Sequence, residues 1–191
     1  MSIGFYFDEA KCMGCRSCQV ACKDRNNLPV GQLFRHMISY ETGTYPDVKV
    51  FHQAKTCNHC ASAACVANCP TGAMQYADDG AVVHDDEVCI GCGTCVNSCP
   101  YEVPLLDEAE SIARKCDSCK ALRDAGMNPV CVDACPMRCL DFGEIGDLKA
   151  KYGDFDAKRP YLPSPDMTSP STMIKPRTGI GADSEIAFVI L

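Results

Sequence analysis

The chain of 191 residues has no tryptophan, and only 7% of it is aromatic. A core built from large rings is therefore not open to it, and something else must supply cohesion. Positive charge is scarce too. The formal net charge is −7, which argues against nucleic acid as a partner. Long apolar runs are missing: the longest late one, residues 186–191, is far too short to cross a bilayer, so no direct membrane span is expected. The opening Met1-Ser-Ile-Gly-Phe-Tyr-Phe has neither the basic start nor the apolar stretch of a signal peptide. Finally, there is no nucleophile–base pair, no glycine-rich phosphate loop and no paired acid set in a catalytic context. No catalytic residue is expected, and the chain reads as a non-enzyme.

What it does have is cysteine, seventeen in all, far above ordinary usage. Sixteen fall into four runs. Cys12, Cys15, Cys18 and Cys22 are spaced x2, x2, x3. Cys57, Cys60, Cys65 and Cys69 are spaced x2, x4, x3, and Cys89, Cys92, Cys95 and Cys99 x2, x2, x3. Cys116, Cys119, Cys131 and Cys135 are spaced x2, x11, x3. Pro70, Pro100 and Pro136 follow the last cysteine of the later three runs, whereas Lys23 follows Cys22.

This is the ligand pattern of dicluster [4Fe–4S] ferredoxins, in which three cysteines of a run hold one cubane and the fourth crosses to another. Two intervening residues let a tight loop aim successive sulfurs at one cluster. Gly14, Gly91 and Gly93 suit such loops because glycine allows positive φ and close backbone approach. Three further residues make almost one helical turn, so the last thiol faces elsewhere. Disulfides fit poorly, because the cysteine count is odd and runs this tight would force many neighbouring bridges. Zinc is the rival, since four-thiolate zinc sites also use C-x2-C pairs, but those sites use two separated pairs and no following proline.

Along the chain, Ile3–Asp8 reads as a strand and residues 17–24 as a short helix carrying Cys18 and Cys22. Strands are expected at 33–40 and 48–51. A hairpin is expected from 73–76 and 81–84 around Asp79-Gly80. Later elements are a helix over 120–125 ended by Gly126, a strand over 140–143, and a helix Ile145–Tyr152 stopped by Gly153. The fold class is α+β, with two ferredoxin-like lobes of rough two-fold similarity, a small β insertion and an extended C-terminal tail. One lobe comprises residues 3–26 plus 101–152, and the other 57–100, with the insertion at 27–56. The proline-rich segment 153–191 is expected to bury little by itself and to lie as a strap over a larger subunit.

By the crossing rule the outer runs pair with each other and enclose the inner pair. Cys12, Cys15 and Cys18 join Cys135. Cys22 joins Cys116, Cys119 and Cys131. Cys57, Cys60 and Cys65 join Cys99, and Cys69 joins Cys89, Cys92 and Cys95. The seventeenth cysteine, Cys139, reads as a small buried residue. His59, between two ligands, reads as packing beside a cluster. Arg114, Lys115, Lys120 and Arg123 form a basic stretch that either offsets cluster charge or docks a partner.

With its ligands in this order, and with Cys57-Asn-His-Cys60, Cys89-Ile-Gly-Cys92, Cys116-Asp-Ser-Cys119, Cys135-Pro136 and Leu140-Asp-Phe-Gly143, the chain resembles the iron–sulfur electron-transfer (B) subunits of the dimethyl sulfoxide reductase family, the complex iron–sulfur molybdoenzymes. The likeness is strong over residues 3–152 and loose over the tail. It implies a subunit for anaerobic respiration with four [4Fe–4S] clusters. Cys92 stands where relatives with a [3Fe–4S] cluster carry tryptophan. It also implies a wire. The wire begins at the Cys12 group, facing a large molybdopterin (bis-guanine dinucleotide) catalytic subunit. It passes through the Cys22 and Cys57 groups and ends at the Cys69 group, near a quinol-oxidising membrane anchor. The implied place is peripheral to the cytoplasmic membrane, on the outer face through a partner's twin-arginine export, with a cytoplasmic complex as the alternative. The rival functional reading is a free ferredoxin-like carrier serving several enzymes.

Overall fold

A computed structural model describes residues 2–180 and 184–190. In chain order, β1 (Ile3–Asp8) leads through the first ligand loop into α1 (Ser17–Arg25), and β2 (His36–Thr42) and β3 (Lys49–Lys55) form the insertion. Next come α2 (Ala64–Ala67), β4 (Met74–Tyr76), β5 (Val82–His84) and α3 (Thr94–Ser98). β6 (Leu105–Asp107), β7 (Ile112–Arg114), α4 (Lys120–Asp124) and α5 (Val130–Asp133) surround the fourth run. β8 (Leu140–Glu144), α6 (Ile145–Tyr152), β9 (Thr172–Lys175) and β10 (Phe188–Ile190) follow.

All six residues of β1 are buried, because cores pack on both its faces and strands occupy both its edges. β8 pairs with it antiparallel and β9 parallel. Its side chains serve two cores. Phe5 and Phe7 face the first ligand group, while Tyr6 stacks on Tyr152 of α6 at 3.8 Å between ring centroids. Gly4 is needed where the tail crosses, since a Cβ there would overlap the Ser171 carbonyl oxygen. The expected helix over 120–125 is α4. Its end is a Schellman motif: Met127 N–H donates to Leu122 O and Gly126 N–H to Arg123 O, both at 2.9 Å, with Gly126 at φ 75°. The expected hairpin around Asp79-Gly80 is β4–β5.

Three expectations are corrected. The insertion strands lie later than read, at β2 and β3. Phe34 stays outside the ladder because its carbonyl accepts from Thr56 Oγ1 at 2.9 Å. The β6–β7 hairpin, expected as part of the 101–152 lobe and not read as strands, packs Ala113 among Cys65, Met74, Val82 and Cys95. The tail does bury apolar surface, and it does so on this same polypeptide. β9 adds to β1, β10 adds to β2, Tyr161 stacks on Tyr40 at 4.6 Å, and Met173, Ile174 and Ile180 are buried. Prolines do not prevent this, because the two strand segments contain none. Leu191, the last residue of the late apolar run 186–191, lies outside the described residues.

Candidate metal centres

The local backbone of the first and third runs repeats. Gly14 and Gly91, each before the second cysteine, have φ 71° and 64°. Arg16 and Gly93, each after it, have φ 65° and 70°. The left-handed pair folds the x2-x2 segment back so that the next helix, α1 or α3, carries the third cysteine inward. Close approach enforces the glycines as well. A Cβ on Gly14 would come within 2.7 Å of the His52 ring, and one on Gly91 would overlap the Ser111 carbonyl oxygen.

These loops bring the thiols together in fours. Cys12, Cys15, Cys18 and Cys135 line one cavity with Phe7, Met37 and Leu140. Cys57, Cys60, Cys65 and Cys99 line a second with Val82, Tyr101 and Lys115. Cys69, Cys89, Cys92 and Cys95 line a third with Thr94 and Ala113. In the remaining group α1 packs on α5, so that Cys22 and Cys131 interact with each other and with Cys116 and Cys119.

The donor set and its surroundings fit iron–sulfur clusters. Burial pushes the Cys18 thiol up to about 11 and those of Cys22 and Cys65 to about 12, so these three form thiolates only with a cation to hold them. Among the described residues no three His, Cys, Asp or Glu side chains converge tightly enough for one metal ion. The thiols stand instead around a cavity, as ligands to separate corners of a multi-iron body do. Donors point at the sulfurs. Ser118 N–H reaches Cys116 Sγ at 3.3 Å, and Met74 and Ala113 N–H reach Cys69 and Cys89 Sγ at 3.5 Å. The hydroxyls of Ser17 and Thr94 lie 3.4 and 3.3 Å from Cys15 and Cys92 Sγ.

The four groups are joined in series by three packed cores. One holds Cys12, Cys18 and Cys135 with Cys131. The next holds Cys22 and Cys116 with Cys57, Cys60 and Cys99. The last holds Cys60 and Cys65 with Cys69, Cys89 and Cys95. Exposure follows the same order: Cys15 and Cys92, in the first and last groups, are exposed, while Cys22, Cys116, Cys119 and Cys131 are all buried.

Other residues singled out in the sequence are placed as follows. Cys139 is buried, and its sulfur lies 3.3 Å from Cys135 Sγ, so it lines the first cavity as a fifth thiol. His59 is 1% exposed, and its Nδ1 accepts from Val82 N–H at 3.1 Å, while Nε2 has no protein partner. Burial, with Lys115 and Arg123 nearby, holds this imidazole neutral. The basic stretch is not a free surface. Arg114 pairs with Asp107 at 3.1 Å, Lys120 with Asp124 at 2.8 Å, and Arg123 with Asp79. Lys115 is buried and donates to the carbonyls of Val82 and Cys116. One residue that the sequence pattern does not single out, Arg35, is buried beside the thiols. Its only sequence signal is a charge set between Phe34 and Met37.

Comparison with known proteins agrees with this construction. The 4Fe-4S dicluster domain family matches residues 48–145, and a 4Fe-4S binding domain matches residues 9–27. The chain is 41% identical over 182 residues to the B subunit of anaerobic dimethyl sulfoxide reductase from Haemophilus influenzae, and 42% identical over 181 residues to the Escherichia coli protein of the same name. Each alignment covers 91% of this chain and 88% of the relative. "Protein NrfC" of Escherichia coli is 38% identical over 160 residues, covering 82% of this chain and 72% of that one. Thiols gathered in fours on small ferredoxin-like sheets and helices define an iron–sulfur electron-transfer protein of the dicluster ferredoxin class. Within that class the protein belongs to the family of the B subunits of anaerobic dimethyl sulfoxide reductase.

Proposed function

We propose that the chain holds four [4Fe–4S] clusters and works as a non-catalytic electron relay. Their ligands are the groups Cys12/Cys15/Cys18/Cys135, Cys22/Cys116/Cys119/Cys131, Cys57/Cys60/Cys65/Cys99 and Cys69/Cys89/Cys92/Cys95. A bound [4Fe–4S] cluster supplies uptake and release of a single electron with no bond chemistry on a substrate. The residues of this chain fix the spacing, bury all four thiols of the Cys22 group, and donate N–H and O–H groups to the sulfurs. The observation that carries the reading is the serial packing: three cores link the four groups in one line, with the exposed thiols of Cys15 and Cys92 at its two ends.

The partners follow from the family. The relatives are subunits of a reductase by name, so one end of the relay serves a large molybdopterin catalytic subunit and the other a quinol-oxidising membrane subunit. Among the described residues no helix is long and apolar enough to cross a membrane, and attachment to the membrane, on its outer face, comes through those partners. A free carrier serving several enzymes is the competing arrangement, and co-purification with a large molybdopterin protein decides between them.

Two measurements test the relay. Anaerobically prepared protein should contain about sixteen iron atoms and as many acid-labile sulfides per chain, and little iron would end the proposal. In the complex, Cys92→Ser should damage one cluster and abolish quinol-driven reduction. Reduction by artificial donors at the catalytic subunit should stay largely intact. Equal loss of both activities would contradict the place assigned to the last group.

A further inference from the structure

Arg35 is a charged side chain, only 2% exposed. Its neighbour Phe34 packs in the core that holds Cys22, Cys57 and Cys116, and Met37 packs in the core that holds Cys12, Cys18 and Cys135. The guanidinium lies over the Phe5 ring, 4.7 Å from its centroid, and Nη1 donates to the Ala54 carbonyl at 3.0 Å. Nε and Nη2 have no protein partner. The largest charges that bear on it are the sulfurs of Cys131, Cys18, Cys116 and Cys22, drawn from two different groups.

A guanidinium buried without an anion costs several kcal/mol, and a chain that keeps one needs a negative body beside it. Four thiolates on an iron–sulfide core make such a body, and each further electron makes it more negative. A fixed positive charge nearby stabilises the reduced form more than the oxidised form, because the attraction grows with the charge on the cluster. The low-dielectric setting, with Phe5 over the guanidinium, leaves that field poorly screened.

We propose that Arg35 is the shared counter-charge of the first two clusters of the relay. Its buried charge acts on both, and the residue raises the reduction potential of each while leaving the other two unaffected. Arg35 is thus a positioning and tuning residue for electron transfer, not a ligand. The inference rests on the four-cluster reading above, and the tests keep the two apart.

The experiment is an EPR-monitored redox titration of the cluster-loaded full chain, unaltered and as Arg35→Gln, Arg35→Met and Arg35→Lys, with iron and sulfide measured on each sample. With metal content unchanged, the Gln and Met variants should show two clusters whose reduced-to-oxidised ratio at a fixed potential falls by about tenfold. For a one-electron couple that is about 59 mV. Arg35→Lys should restore most of the loss. Two unmoved clusters, four clusters moved alike, or a shift confined to one of the pair overturns the proposal. Should the neutral variants lose iron, the unaltered protein grown with nitrogen-15 arginine answers instead. Pulsed electron–nuclear spectroscopy should then show an arginine nitrogen coupled to those two clusters and absent in Arg35→Lys. No such coupling overturns the proposal, while an unaltered chain without iron overturns the relay and this inference together.

Discussion

Asp79 sits in the turn between β4 and β5, and Arg123 sits on α4, so their ion pair ties the second and third runs to the fourth. Partial burial works against the Asp79 carboxylate, but the Arg123 guanidinium and the Ala81 N–H hold its pKa below the usual range. A carboxyl held low in the folded state contributes stability above its unfolded pKa, about 3.9, and loses it as pH falls through the lowered folded value. Asp79→Asn should therefore cost about 1 kcal/mol, a modest figure because the carboxylate is partly exposed and screened. Anaerobic urea titrations at pH 6 and pH 8 should give the same difference, and a difference that halves between them would refute the assignment. At the end of the relay, Thr94→Val removes the hydroxyl 3.3 Å from Cys92 Sγ. The cluster of the Cys69 group should become harder to reduce, with the other three unmoved in the same potentiometric titration. At this scale the cysteines that gather in fours were legible in the sequence because cysteine spacing is a local code. Arg35 was not legible, since a lone arginine in an apolar stretch looks like any surface charge until its surroundings are known.

At the scale of elements, the ends announced themselves where a glycine had to take positive φ. Gly126 closes α4, Gly153 at φ 97° stops α6, and Gly80 at φ 82° turns the β4–β5 hairpin. The β6–β7 hairpin had no such marker. Its loop is closed by Ser111 at φ 54° and by the Asp107 side chain accepting from Ala109 N–H at 3.1 Å, and neither residue type specifies a hairpin. The tail was misjudged because its prolines dominate the composition, whereas the short strands between them do the binding. Gly4→Ala tests that attachment. A methyl group there would drive into the Ser171 carbonyl and lie 2.6 Å from Ile145 Cδ1, so β9 should lift from β1. Limited proteolysis should then cut within residues 160–172, where the unaltered chain resists, and equal resistance of the two proteins would contradict that attachment.

For the molecule as a whole, the balance of cohesion is unusual. Cysteines of the four groups appear in three of its cores, so thiols and not large side chains alone line what is buried. Stripping the iron with a chelator should abolish cooperative unfolding instead of lowering its midpoint. An apo-protein with a sharp urea transition and native near-UV circular dichroism would show that the polypeptide holds itself together. The α+β class and the pairing of distant runs followed from pattern, because a cluster that needs four thiols forces remote segments to meet. The iron–sulfur chemistry, the number of thiol groups and the local loops were written in the residue order, since these depend on residue type and on spacings of a few residues. Folding in three dimensions set where the tail lies, which cores join which groups, and that an arginine is buried near them. Those outcomes depend on contacts between residues far apart in the chain, which no local spacing encodes.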